Sequence, residues 1–228
     1  MARNSTLSQL RDQLRAEIGA SSNVAMGVNT VPQMNHMLNR VQERLWTDYD
    51  WPFLWTETDV QSVDAVRYYA VPSTVNPDRI TKIMVQWNDF WYACESGISA
   101  AHYNIVNSDI GQKEDNVRRW RLSDNGHQFE VWPIPESDQQ KFRLFAYMNC
   151  PKMISDSDRA LLDDTLIVLF TAAEMLAALK DDASQLKYDQ AKLHFLRLKS
   201  LSTKNADFVM GGAEVMPEKR KLWGRWNK

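Results

Sequence analysis

The sequence predicts an α+β fold: a helical layer made from both ends of the chain, an antiparallel β domain inserted between them, and an extended C-terminal arm. Three observations carry this. Apolar residues recur at helical spacing up to "RLWTDYDWPFLWTE" (44–57), the period then shortens to that of strands as far as residue 148, and helical spacing returns after Pro151. The expected boundaries are 1–53 for the N-terminal helices, 54–150 for the β domain, 151–203 for the C-terminal helix pair and 204–228 for the arm.

The first helix is expected over 6–20. Leu7, Leu10, Leu14 and Ile18 form its apolar face, and Thr6 with Gln9 has the spacing of a capping box. The second starts at Thr30, with Pro32 in its first turn and Gln33 placed for another box, and carries the stripe Met34, Met37, Leu38, Val41 and Leu45. Pro52 disfavours helix at Trp51 and ends it. Trp46, Trp51, Phe53 and Trp55 are then expected to fill the corner where helix hands over to sheet.

From Leu54 onward, β-branched and aromatic residues supply six or seven strands, in stretches such as "RITKIMVQW", "QFEVW" and "KFRLFAYM". The turn "SDNG" (123–126) is a hairpin signal, and 97–116 reads as a looser insertion. Beyond Pro151, "SDSDRALLDD" offers N-caps for a helix over 161–179 that is apolar nearly all round and therefore central. The last helix, 183–200, has two stripes: Leu186, Leu193 and Leu196 on one side, Tyr188, Ala191, Phe195 and Leu198 on the other. One stripe serves the chain's own core and the other is left for a neighbour. Tyr188, Phe195 and Leu198 are the expected subunit-interface residues.

At 228 residues, with 44% hydrophobic and 25% charged side chains, the chain can bury a substantial core, and disordered or collagen-like classes are excluded. The net charge of −2 is unevenly spread. The last twelve residues hold five basic groups and one acidic one, leaving about −6 on the rest. That body is not built to grip a phosphate backbone. Cys94 and Cys150 have no ligand-spaced partners and read as core thiols. No signal-peptide run or membrane-length apolar segment is present, so a protein made in the cytoplasm is expected.

No enzyme is expected. His36, His102, His127 and His194 are scattered without ligand or base spacing, and Asp156 with Asp158, Asp163 with Asp164 and Asp181 with Asp182 sit where helix capping explains them. Phosphate loops and nucleophile elbows are missing, and no metal or other cofactor is expected. Lys219, Arg220, Lys221, Trp223, Arg225 and Trp226 in the tail combine cations with indoles, as a partner-docking arm would.

The order of the parts resembles the head-to-tail adaptor proteins of tailed bacteriophages. The resemblance runs over roughly residues 31–200, through "LWTDYDWPFLWTET", "YYAVPSTVNPDRITKIMVQW" and "FEVWPIPESDQQKFRLFAYMNCPKMISDSD" followed by two helices. It implies a structural protein of the virion neck that forms a ring, expected to be twelve-fold, beneath the portal protein. Such a ring extends the channel through which double-stranded DNA passes without sequence-specific binding, and presents a platform to the next tail protein. The tail residues named above would then dock on the portal. The alternative is a monomeric or dimeric virion module that binds DNA ends or scaffold.

Overall fold

A computed structural model describes residues 3–19 and 30–203. It has the expected α+β architecture, with helices α1 (Leu7–Glu17), α2 (Val31–Thr47), α3 (Ala100–Tyr103), α4 (Asp164–Ala178) and α5 (Ala183–Thr203). The strands are β1 (Trp55–Gln61), β2 (Tyr68–Ala70), β3 (Val75–Trp87), β4 (Phe90–Ser96), β5 (Arg119–Leu122), β6 (Gln128–Trp132) and β7 (Lys141–Met148).

Local chemistry sets the helix ends. Thr6 Oγ1 accepts from the Gln9 amide and Gln9 Oε1 accepts from the Thr6 amide, completing the expected box on α1. The box expected at Thr30 does not form: Thr30 is itself helical, which turns its side chain away from the capping geometry, and Pro32 in the first turn starts the helix instead. Asp163 caps α4 by accepting from the Leu166 amide at 3.0 Å.

α4 is the centre of the helical layer and touches α1, α2 and α5. Its Leu166, Ile167, Val168 and Ala172 are buried together with Leu10 and Leu14 of α1, Leu38 and Leu45 of α2, and Ala191 and Leu198 of α5. Both ends of the chain therefore build one core, as the apolar spacing requires. Neighbouring Asp163 and Asp164 are also buried: Asp164 accepts from Ser5 Oγ at 2.7 Å and Asp163 holds His194 Nε2 at 2.8 Å. The pair ties the N-terminal segment and α5 to the start of α4.

The seven strands form one sheet in the order β1-β7-β3-β4-β5-β6-β2. Five of its six strand pairs are antiparallel, as expected, but β4 and β5 run parallel. The reason is the insertion: 97–116 folds as α3 and a short 3-10 turn and crosses over, so β5 re-enters in the direction of β4. The sheet curls until β2, at one edge, lies over β7, next to the other. Tyr69 of β2 meets Phe142 of β7 at 5.0 Å between ring centres, and both enclose a second core with Phe129, Val85 and Leu144. The expected hairpin at 123–126 joins β5 to β6, with Gly126 at φ 69 supplying the left-handed turn residue.

The two cores meet end on. Trp46 of α2 donates from Nε1 to the Met148 carbonyl at 2.8 Å, and Arg79 of β3 donates to the Trp46 carbonyl at 2.8 Å. Trp46 and Trp51 fill the corner as expected. Phe53 and Trp55 do not: each is 38% exposed, because the chain leaves the corner at Pro52 and strand alternation turns Trp55 outward.

Candidate interaction surface

α5 puts its two stripes in different environments, and the faces are largely the reverse of those the sequence suggests. Leu198 is 4% exposed and Phe195 packs edge-on against Tyr49 and Trp51, at 6.4 and 5.9 Å. Tyr188 is exposed, at 46%, although its ring meets Phe170 of α4 edge-on at 5.9 Å. Phe195 and Leu198 of the stripe expected at a subunit interface thus serve the chain's own core, where Ala191 permits close approach to α4, while Tyr188 stays at the surface. The opposite stripe faces outward, with Leu186 at 59%, Leu193 at 67% and Leu196 at 51% exposure. Its spacing of seven and then three residues is that of a helix-pairing seam.

Two recesses flank this helix. One, of about 280 Å³, lies between α4 and α5 and is floored by Ala173 and Ala177, with Tyr188 and Glu174 on its walls. Glu174 is ion-paired with both Arg40 and Arg44 of α2. The other is lined by Trp51, Phe53, Leu198 and Leu201, with the Arg3 guanidinium 4.0 Å from the Phe53 ring centre. Lys219, Arg220, Lys221, Trp223, Arg225 and Trp226 lie outside the described residues.

A third feature was not singled out in the sequence. Glu130 of β6 is 1% exposed, yet it accepts from Arg67 Nε at 2.7 Å, Tyr103 Oη at 2.9 Å and Arg121 Nε at 2.7 Å. Burial alone would raise its pKa, but the donors from Arg67, Tyr103 and Arg121 outweigh burial and hold the carboxyl below its ordinary range. The Arg67 guanidinium, opposed by desolvation, is nevertheless raised by its bonds to Asp109 and Glu130. Because Tyr103 and Asp109 belong to the insertion, the cluster fastens 97–116 to the sheet. A carboxylate so saturated with donors is a poor proton acceptor, and its arrangement is that of a clamp. Burial pushes the Cys94 thiol up to about 12, which makes it an unreactive core group.

Among the described residues, no group of three His, Cys, Asp or Glu side chains could hold a metal ion, and no helix is long and apolar enough to cross a membrane. No protein-family model matches the chain, and no curated protein matches its sequence.

Proposed function

We propose that the protein is a structural head-to-tail adaptor of a tailed phage. It acts by joining copies of itself into a ring under the portal protein, which extends the DNA channel and gives the next tail protein a platform. The observation that carries this reading is the outward stripe Leu186, Leu193 and Leu196 on a helix whose other side is already spent on its own core. A seam of leucines left in water calls for a partner. In a cyclic assembly, one flank of a subunit meets a different flank of the next, so a stripe of this kind can be covered in every copy. The order of parts over 31–200 supports the same reading, as does the acidic balance of residues 1–216, since a channel that attracted phosphate would hold DNA back.

The test is assembly on DNA-filled heads, followed by electron microscopy and native mass measurement. Leu193→Glu with Leu196→Glu should leave the circular-dichroism melt of the free protein close to wild type, since both side chains are solvent-facing, and should abolish ring density beneath the portal. Deleting 217–228 should leave the melt nearly unchanged and prevent attachment. Normal rings from the double-glutamate protein would overturn the assignment of the stripe. A wild-type protein that binds short DNA stably and never joins heads would instead favour a DNA-end-binding module.

A further inference from the structure

The sheet has an opening part-way along it. β4 pairs with β5 only at Glu95 with Arg119 and Ser96 with Trp120, so its first half, Phe90 to Ala93, has no ladder partner on that side. A cleft of about 340 Å³ occupies the gap, with Tyr92 and Ala93 on one wall and Asn116, Arg118 and Arg119 on the other. Asn116 Oδ1 is buried without a hydrogen-bond partner, and Asn116 lines this cleft. Backbone phase shows which groups point into it. The Glu95 amide donates to the Arg118 carbonyl at 2.9 Å and the Gly97 amide to the Trp120 carbonyl at 2.7 Å, so the odd-numbered residues of β4 turn their backbone toward β5. Strand alternation gives Trp91 and Ala93 the same direction. Their amides and carbonyls face the cleft, while Phe90, Tyr92 and Cys94 face β3 across the two-residue turn at Asn88 and Asp89, whose φ values of 48 and 64 fit a tight hairpin.

A second unpaired edge lies at the end of the sheet. β1 is a terminal strand of seven residues with a neighbour on one side only. It bears Glu57 and Asp59 on its exposed face, where Arg143 of β7 holds Asp59 at 2.7 and 2.9 Å and lies 3.8 Å from Glu57. The β4 cleft carries Arg118 and Arg119 on its far wall, two cations able to compete with Arg143 for those carboxylates. Their partners are Glu114, in an exposed ion pair weak enough to exchange, and Glu95, whose pair with the half-buried Arg119 is open to water on the carboxylate side. Direction matches as well. Three antiparallel steps lead from β1 through β7 and β3 to β4, so a second copy set alongside without reversal presents its β1 antiparallel to β4.

We infer that the β4 cleft receives the β1 edge of a second copy of this chain, continuing the sheet from subunit to subunit by strand addition. The inference rests on the ring reading above and names a contact for it in the β domain. The backbone of Trp91 and Ala93 supplies the ladder bonds, Arg118 and Arg119 meet the Glu57 and Asp59 carboxylates, and the contact is head to tail, so it propagates around a ring.

The test uses the full-length chain and a fluorescently labelled peptide of residues 54–62, LWTETDVQS. The peptide should bind saturably, and a scrambled peptide should not. Ala93→Pro removes one amide directed into the cleft and none directed at β3, so its melt should follow wild type while peptide affinity falls by about fivefold or more. Arg118→Glu touches no backbone bond and should weaken binding more at low salt than at high salt. No saturable binding, or binding by the scrambled peptide as strong as by the true one, overturns the inference. The two readings separate cleanly: rings forming normally on heads with Ala93→Pro sink the strand edge and leave the adaptor, whereas specific peptide binding by a protein that never forms rings keeps the edge and sinks the adaptor.

Discussion

Trp51 and Trp55 stand four residues apart in one aromatic run, and they belong to two regions with opposite rules. Trp51 is 2% exposed in the helical layer, its indole donates to the Leu45 carbonyl at 2.9 Å, and Tyr49 and Phe195 meet it edge-on at 4.9 and 5.9 Å. Trp55 lies on the open face of the sheet, 38% exposed, beside Tyr147 at 5.4 Å. That face interleaves rings with cations: Arg79 lies over Tyr147 at 4.4 Å, Lys82 over Phe145 at 4.8 Å and Arg143 over Trp91 at 4.5 Å. An aromatic run does not itself choose burial. What decides is whether sequence-distant helices close over the ring and offer the indole N–H a partner, as α5 and the end of α2 do for Trp51.

The largest effect that would sharpen this contrast is at the buried ring. Trp51→Ala removes a side chain at the junction of α2, α5 and the 3-10 turn Pro52–Leu54, leaves a cavity and orphans the Leu45 carbonyl from that bond, so the expected loss is about 3–5 kcal/mol in denaturant unfolding. A loss below about 1 kcal/mol would mean that the helical layer is no more closed around its rings than the sheet face is.

The next effect tests the side of the sheet that the insertion covers. Glu130→Gln keeps the shape but withdraws the charge that Arg67 and Arg121 share, and is expected to destabilise by about 2 kcal/mol at neutral pH. The sign with pH follows from the depressed carboxyl. Its folded pKa lies below its unfolded one, so the stabilisation is fully present above the ordinary glutamate value of 4.5 and is lost as pH falls through the folded value. Wild type and Glu130→Gln should therefore converge in stability as the medium is acidified below that point. Hydrogen exchange in 97–116 should rise selectively in the variant at neutral pH; unchanged protection there would sink the clamp.

How much of this was legible in the sequence depended on how local the determinant was. The box at Thr6 and Gln9, the end of α2 at the start of "DYDWP", the hairpin at Gly126 and the all-round apolar α4 are set by neighbours in the chain, and each is where the sequence puts it. The Thr30 box failed because capping also needs an extended backbone at the cap, which residue types do not fix. The faces of α5 were legible as two stripes, but which one faces inward depends on packing: Ala191 and Leu198 fit against the helical core while Leu186 and Leu193 do not reach it. Glu130 escaped notice because its donors lie 63, 27 and 9 residues away. The only local hint is a carboxylate set between buried Phe129 and Val131 in a strand whose two faces are both covered.

The smallest predicted effect lies on the open face and is the one most able to break the comparison. Trp55 pairs directly with Tyr147 across β1 and β7, and its ring also approaches Phe145 at 6.2 Å, so it is not without contacts. These are cross-strand contacts on a wet surface, where an aromatic pair contributes roughly 0.2–1 kcal/mol and truncation leaves no cavity because water replaces the ring. Trp55→Ala should therefore lower stability by about 1 kcal/mol or less, with an unchanged denaturant slope. In a double-mutant cycle with Tyr147→Ala, the coupling should stay near 0.5 kcal/mol, since the pair shares only one partly exposed edge-on contact. A loss approaching that of Trp51→Ala would show that the open face is covered in solution by something that dries it, and would replace the contrast between a closed helical layer and an open sheet with two cores of equal depth.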